Sequence, residues 1–253
     1  MGTVILLRHG RTTSNASGVL AGHQPTELDE AGQAQAVAVG KRLAEAELPL
    51  AAVVTSPLLR CRQTLNLALP GAEPVEDERL IECRYGEWAG QPLKSLAKLP
   101  LWRTVQAHPS AVTFPGGESM AEMAARGVAA VRDWDARLTA EHGPDAVWLA
   151  CSHGDMIKAI AADALGLHLD LFQRIAVDPA SVTVIRYTPL RPFLLVANDT
   201  GGDLSGLRPP KRPRRSRRRP AAATASDAQV GGGAGSGSGL FGTGGTDRLG
   251  SQV

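Results

Sequence analysis

Three short, continuous apolar runs stand out along the chain, and each one leads into polar residues and then into a helical pattern. They occupy residues 4–7, 51–55 and 147–151. Short apolar runs that are bounded by loop residues and separated by helices are typical of buried strands in a parallel sheet. The pattern therefore predicts an α/β protein.

The longest helical pattern begins at Ser119, where Ser119 and Glu122 have the spacing of a capping box. Apolar residues recur after it at helical spacing, and we interpret this stripe as core. Its members are Met123, Gly127, Val131, Trp134 and Leu138. Ser56 and Pro57 are predicted to supply the N-cap and the first-turn proline of an earlier helix.

Two late runs, 182–187 and 193–198, predict a β pair that closes the sheet, because a Thr-Pro pair separates them. Between residues 86 and 115 the periodicity fails, while Trp88, Trp102 and Phe114 are scattered among polar residues. We interpret this segment as a lid that shapes a substrate pocket. The alternative is a connecting segment whose aromatic side chains fill the core, and for Trp102 the two interpretations are evenly balanced.

Side chains suited to phosphate chemistry follow the three predicted strands. Arg8 and His9 come after the first, Arg60 falls in the first turns of the helix after the second, and His153 comes after the third. Because the carboxyl ends of parallel strands share one sheet edge, these four side chains are predicted to converge. A neutral imidazole can attack phosphorus, and a guanidinium fork can hold two phosphoryl oxygens. The set favours phosphoryl transfer through a phosphohistidine over a histidine that merely ends a strand.

With these motifs the chain resembles the histidine phosphatase superfamily, in its phosphoglycerate mutase-like branch, over about the first 200 residues. The residues that carry the resemblance are Arg8, His9, Gly10, Thr12 and Asn15 in the opening motif, then Gly22, Leu28 and Gly32, then Ser56, Arg60 and Thr64, then Leu80, Glu82, Gly86, Trp88 and Gly90, and finally 115–119 and 152–154. Asp29 stands where the family usually has a Ser or Thr helix cap, and Asp caps as well. Arg11 replaces the common Glu or Gln and leaves the substrate preference open.

The resemblance implies a three-layer α/β/α sandwich with a mostly parallel sheet. It implies His9 as the nucleophile, Glu82 as the general acid and then the general base, and a phosphoryl group held by Arg8, Arg60 and His153. It implies no metal and no cofactor, since these charged groups take the place of a metal ion. The residues expected to bind substrate are Asn15, Gly22, His23, Arg11 and Gly154.

Glu82 lies in a charged stretch, and from its position there alone we would interpret it as a surface glutamate. The match to the family motif favours the interpretation as the general acid. To act as an acid near neutral pH, Glu82 needs a raised pKa, from partial burial near Trp88 or from the negative charge of the substrate. Asp155 is a rival acid, although we favour a structural role for it at a helix start.

The composition changes abruptly at Asp203. Residues 211–219 hold seven basic residues in nine, and Ala, Gly and Ser then dominate to the end of the chain. We therefore predict a histidine phosphatase domain over 1–202 and a disordered tail over 203–253. The tail carries nine Lys or Arg against three Asp or Glu, which leaves eighteen against twenty-two in the domain. The tail is predicted either to contact nucleic acid, anionic lipid or an acidic partner, or to be a solvated extension.

The chain has three cysteines without metal-ligand spacing, which indicates reduced thiols in the cytoplasm. No stretch approaches the roughly 18 apolar residues of a membrane span, and Arg8 with its polar loop argues against a signal peptide. The oligomeric state is left open, with a dimer as one option.

Three functions remain open. The leading one is a metal-independent phosphatase acting on a small phosphorylated metabolite. The second is a cofactor-dependent phosphomutase, which would pass the phosphoryl group back to a second hydroxyl. The third is a non-catalytic scaffold with a polyanion-binding tail, against which the complete set of predicted catalytic residues argues.

Overall fold

A computed structural model describes residues 2–201 of the 253-residue chain, so the predicted tail over 203–253 lies outside the described residues. Within this range, one six-stranded sheet has the order β3-β2-β4-β1-β5-β6. Its first four strands in that order are parallel, and β5 and β6 are antiparallel. The strands are β1 Thr3–Arg8, β2 Leu50–Thr55, β3 Val75–Glu76, β4 Val147–Ser152, β5 Val182–Arg186 and β6 Phe193–Asp199. The mostly parallel sheet and the closing β pair are as predicted.

Helices cover both faces of the sheet. They are α1 Thr13–Ser17, α2 Glu30–Glu45, α3 Leu59–Ala68, α4 Leu93–Leu96, α5 Pro100–Ala107, α6 Met120–His142 and α7 Gly154–Ala164, with shorter 3-10 turns at Glu78–Leu80, Gly86–Trp88, Pro109–Ala111 and Leu169–Arg174. In the described part of the chain, no helix is long and apolar enough to cross a membrane.

The sheet separates two hydrophobic clusters. Val4 and Leu6 of β1 belong to one cluster, together with residues of α6 and α7, whereas Ile5 and Leu7 belong to the other, together with residues of α2 and α3. Successive side chains of a strand point to opposite faces, so one apolar run supplies both clusters. The prediction of a three-layer α/β/α sandwich is confirmed.

Capping side chains determine where two of the long helices begin. The side chain of Asp29 accepts a hydrogen bond from the Gly32 amide at the start of α2. Ser119 and Glu122 form the predicted capping box of α6, and the apolar stripe of that helix is buried. Both helix starts are confirmed.

The predicted start of α3 is wrong. Its N-cap is Leu58, which makes no side-chain cap bond, and the helix begins at Leu59. Ser56 is still part of the extended exit from β2, and its Oγ lies 2.7 Å from Nε2 of His153. The same Oγ accepts a longer hydrogen bond, at 3.4 Å, from the Leu58 amide. Its shorter contact is the tertiary one, which the local sequence does not reveal.

The aromatic side chains of the segment 86–115 lie in the core and do not line a pocket. Trp88 stacks on Trp102 with ring centroids 6.1 Å apart, and Phe114 meets Trp88 edge-on at 5.2 Å. All three side chains are buried in the larger hydrophobic cluster. Burying large aromatic surfaces against one another is more favourable than exposing them at a pocket wall, so the alternative interpretation is the correct one for these residues.

Candidate active site

The carboxyl ends of two central strands meet at one edge of the sheet. Arg8 ends β1 in register with Ser152 at the end of β4, so His9 and His153 leave the sheet side by side, with ring centroids 5.2 Å apart. Arg60, in the first turn of α3, directs its Nε between them and lies 3.2 Å from His9 Nε2 and 3.2 Å from His153 Nδ1. The structure thus brings these predicted residues together.

The hydrogen bonds of His9 define its tautomer. Its Nδ1 lies 2.7 Å from the carbonyl oxygen of Gly10, which can only accept, so Nδ1 carries the proton. Nε2 then presents its lone pair and accepts from Arg60 Nε. Burial, and secondarily the charges of Arg60 and Arg8, hold the pKa of His9 well below its usual value. At neutral pH Nε2 is therefore an unprotonated base, the form a nucleophile requires.

His153 takes the opposite tautomer. Its Nδ1 accepts from Arg60 Nε, so Nε2 carries the proton and donates to Ser56 Oγ at 2.7 Å. Burial first, and the charge of Arg60 next, lower the pKa of His153 well below its usual value. The ring is neutral, and Ser56 fixes its orientation.

Two guanidinium groups supply positive charge to the site. Arg8 donates from Nη1 to the Val177 carbonyl at 2.8 Å, and Arg60 donates from Nη2 to the Gly22 carbonyl at 2.8 Å. Burial lowers the pKa of Arg8 to about 10 and lowers that of Arg60 as well. Since about 10 is still well above neutral pH, Arg8 remains a cation able to attract a phosphoryl group.

Glu82 is buried beside these groups, with 3% of its surface exposed. Its Oε1 accepts from the Cys83 amide at 3.0 Å, and its Oε2 faces the Asp155 amide at 3.4 Å. Burial, followed by the nearby charge of Asp155, raises the pKa of Glu82 to about 7. A carboxyl group with this pKa can both donate and accept a proton near neutral pH.

A cleft opens in front of His9, Arg60 and Glu82, whereas Arg8 and His153 do not line it. Its walls consist of His9, Thr12, Ser14, Asn15, Gly18, Val19, Leu20, Ala21, Gly22, Arg60, Glu82, Tyr85 and Leu93. Of the residues expected to bind substrate, Asn15 and Gly22 thus lie on the wall.

The other three residues expected to bind substrate are not on the wall of this cleft. Arg11 pairs with Asp29, with Nε 2.7 Å from Oδ2. His23 lies 2.7 Å, through Nε2, from the backbone carbonyl of Glu82. Gly154 begins α7 and is buried.

Sequence reasoning missed the residues that stand behind the predicted site. Ser56 orients His153, and Thr64 Oγ1 accepts from the Gly10 amide at 2.9 Å while donating to the Arg60 carbonyl at 2.7 Å. Both residues belong to the serine, arginine and threonine motif noted above. That motif was therefore the available signal, although it gives no geometry.

The comparisons with known proteins identify the family of this chain. A family model described as the histidine phosphatase superfamily, branch 1, matches residues 4–200. The chain belongs to this superfamily. The resemblance inferred from the motifs is confirmed, because the match spans nearly all of the described residues.

Relatives within the histidine phosphatase superfamily include phosphatases and mutases. The chain is 33% identical over 177 residues to a glucosyl-3-phosphoglycerate phosphatase from Mycolicibacterium vanbaalenii, covering 66% of this chain and 76% of the relative. It is 31% identical over 210 residues to a probable phosphoglycerate mutase from Erwinia tasmaniensis, covering 81% and 94%. A solved mycobacterial glucosyl-3-phosphoglycerate phosphatase in complex with VO3 superposes with a TM-score of 0.68 and 30% identity, covering 78% of this chain and 98% of that one.

Proposed function

We propose that this protein hydrolyses phosphate monoesters of small metabolites through a phosphohistidine on His9. The observation that carries the proposal is the unprotonated Nε2 of a buried His9, 3.2 Å from the Arg60 guanidinium and on the same cleft as Glu82. This arrangement combines a nucleophile, a positively charged phosphoryl site and a proton donor. A scaffold without catalysis would not need all three.

In the first step, His9 Nε2 attacks phosphorus and forms a P–N bond while the ester P–O bond breaks. Arg8 and Arg60 donate to equatorial oxygens, where preorganised donors contribute most to phosphoryl transfer. His153 donates to a third oxygen once the negative charge of the bound phosphoryl group brings a proton to its Nδ1. Glu82, protonated below its pKa of about 7, gives its proton to the departing alkoxide.

In the second step, the ionised Glu82 takes a proton from a water molecule. The oxygen of that water attacks phosphorus, the P–N bond breaks and inorganic phosphate leaves. His9 returns to its neutral form and Glu82 to its protonated form. Asn15 and the backbone at Gly22, both on the cleft wall, add uncharged hydrogen bonds to the phosphate.

The substrate class follows from the relatives together with the site. A relative at 33% identity is a glucosyl-3-phosphoglycerate phosphatase, which supports a small phosphorylated metabolite for this chain. The test is a panel of phosphorylated metabolites with p-nitrophenyl phosphate included, scored by phosphate release. Release from none of these compounds would contradict the proposal.

A phosphomutase is the second candidate, because a relative at 31% identity is a probable phosphoglycerate mutase. The two reactions differ only in whether the phosphohistidine reacts with water or with a second hydroxyl. Phosphorus NMR of the protein with 3-phosphoglycerate and catalytic 2,3-bisphosphoglycerate separates them. Accumulation of the 2-isomer identifies a mutase, and accumulation of inorganic phosphate identifies a phosphatase.

Phosphate release is expected to survive chelation. The positive charge comes from Arg8 and Arg60, which do the electrostatic work of a metal ion. Within residues 2–201, no group of three or more His, Cys, Asp or Glu side chains is placed to hold an ion. The measurement is turnover before and after EDTA. Loss of turnover that a divalent ion restores would rule out this site.

We also propose that the catalytic domain ends at residue 202 and that the tail is dispensable for chemistry. A chain that stops at Gly202 is expected to keep its melting temperature and its rate on p-nitrophenyl phosphate, because residues 203–253 have no apolar periodicity with which to join the core. Salt-sensitive binding of the full chain to nucleic acid or anionic lipid should be lost at the same time.

Three outcomes of the truncation are informative. Unfolding would show that the boundary is wrong. A folded chain without turnover would show that the basic cluster reaches the cleft and recruits substrate. If the full-length chain binds no polyanion at low ionic strength, the basic cluster is only a solvated extension.

We propose a cytoplasmic location for the protein. The support is that Cys61, Cys83 and Cys151 are all buried free thiols, as a reducing compartment allows. Cell fractionation followed by immunoblotting tests this.

A further inference from the structure

The proposed acid lies in a segment that belongs to no helix or strand. This segment, the Glu82 loop, covers residues 81–85 between the 3-10 turns at Glu78–Leu80 and Gly86–Trp88. Buried backbone carbonyls outside regular structure need other hydrogen-bond donors. Here side chains from other parts of the chain supply them, so the position of Glu82 depends on those side chains.

Arg126 of α6 provides several of these donors. Its Nη1 donates to the carbonyl oxygens of Arg79 at 2.8 Å and Ile81 at 2.7 Å, and its Nη2 donates to that of Glu82 at 3.0 Å. The carboxylate of Glu118 accepts two more bonds, from Nε at 3.1 Å and from Nη2 at 2.6 Å. A guanidinium group has five N–H donors in a fixed fork, and here they make five hydrogen bonds. The group is therefore held in one orientation against the Glu82 loop.

A second donor reaches the same Glu82 carbonyl from a different part of the chain. His23 Nε2 lies 2.7 Å from this oxygen, which can only accept, so Nε2 donates. His23 follows Gly22, whose own carbonyl accepts from Arg60 at 2.8 Å. Residues 22–23 thus contact both a phosphate-binding arginine and the backbone of the proposed acid.

We propose that Arg126 and His23 are positioning residues for Glu82: by holding its backbone carbonyl from α6 and from the loop after α1, they set where its carboxyl group lies on the cleft. The inference rests on the proposed function and adds the residues that orient the acid. Neither side chain lines the cleft wall, whereas Glu82 does, so each acts through Glu82.

The fold of the Glu82 loop has other support. Leu80, Cys83 and Tyr85 are buried in the larger hydrophobic cluster. These apolar contacts remain when Arg126 or His23 is shortened to alanine, so we expect the variants to fold. What the variants lose is the restraint on the backbone carbonyls of the loop. Positioning and a purely structural role can therefore be separated by measuring activity.

The experiment compares kcat/KM of the full chain on phenyl phosphate and on p-nitrophenyl phosphate. This parameter covers the steps up to release of the leaving group, so for both esters it reports phosphorylation of His9. Only phenyl phosphate needs the proton of Glu82 in that step. Arg126→Ala is expected to lose up to about 100-fold on phenyl phosphate, the cost of a group misplaced by about 1 Å, and to change little on p-nitrophenyl phosphate. His23→Ala removes one bond and should show a smaller loss with the same preference.

A second measurement tests whether the effect passes through Glu82. In the Glu82→Gln background, neither variant should alter the ratio of the two kcat/KM values, because the group that they position is absent. The matched control is Arg132→Ala on the same helix, whose guanidinium group pairs with Asp163 at 2.7 Å. That protein should keep the wild-type ratio.

Three results would overturn the proposal. The first is a wild-type ratio in either variant once its melting curve shows that it is folded. The second is an equal loss on both esters, which indicates a structural role. The third is a selective loss on phenyl phosphate that persists in the Glu82→Gln background. If Arg126→Ala does not fold, His23→Ala carries the test, since it leaves the guanidinium group in place.

Failure of this inference is distinguishable from failure of the proposed function. If Arg126 and His23 have only a structural role, the wild type still releases phosphate and still depends on His9 and Glu82. If the proposed function is wrong, the wild type releases no phosphate from p-nitrophenyl phosphate, or His9→Ala retains turnover.

Discussion

His9→Ala is expected to abolish both phosphate release and an acid-labile phosphoenzyme. Without the imidazole no P–N bond can form, and the remaining groups can only bind the phosphate. The expected loss in kcat is on the order of 100,000-fold or more, as when the nucleophile of another covalent enzyme is removed. Steady-state phosphate release and rapid-quench trapping of labelled phosphoenzyme measure the two effects.

The control for this variant is His108→Ala, because the His108 side chain is 72% exposed and lies outside the cleft wall. That protein should form phosphoenzyme and turn over like the wild type. A labelled phosphoenzyme that persists in His9→Ala would show that another residue is the nucleophile.

Glu82→Gln is expected to slow turnover in proportion to how much the leaving group needs a proton. On an alkyl or phenyl phosphate the loss should reach about 100-fold to 10,000-fold, the usual contribution of a general acid. On p-nitrophenyl phosphate the first step should change little, since that phenolate leaves without protonation. A pre-steady-state burst of nitrophenolate separates this step from the hydrolysis of the phosphohistidine.

The wild-type pH profile of activity tests the same assignment of Glu82 as the general acid. Glu82 has a pKa raised to about 7, so its acid form predominates below that pH and is lost above it. Activity on a poor leaving group should therefore fall as the pH rises through about 7. Glu87→Gln serves as the control, since Glu87 is exposed and lies five residues after Glu82. Equal losses on good and poor leaving groups in Glu82→Gln would indicate a different acid.

Much of the fold could be predicted because its signals are local. The strands β1, β2 and β4 were identified from short apolar runs, and the starts of α2 and α6 from caps that involve residues three positions apart. The convergence of Arg8, Arg60 and His153 followed from one topological rule, that parallel strands end at the same edge.

The incorrect or undecided predictions concern side chains whose partners are distant in the sequence. The sequence around Ser56 is typical of a helix cap, yet Ser56 Oγ hydrogen-bonds to His153, which follows another strand. The sequence around Trp102 fits a pocket residue and a core residue equally well. Only the stacking of Trp102 on Trp88 decides between the two interpretations. Neither partner lies within a helical turn of the residue concerned, so no local pattern records the contact.

The sequence by itself determined the layered α/β architecture, the family and the residue types that phosphoryl transfer requires, since these depend on periodicity and on motifs along the chain. Only the tertiary structure decided the tautomers of His9 and His153, the raised pKa of Glu82 and the contact of Glu82 with the Asp155 amide. Protonation depends on burial and on charges within a few ångströms, and those are set by which elements pack together.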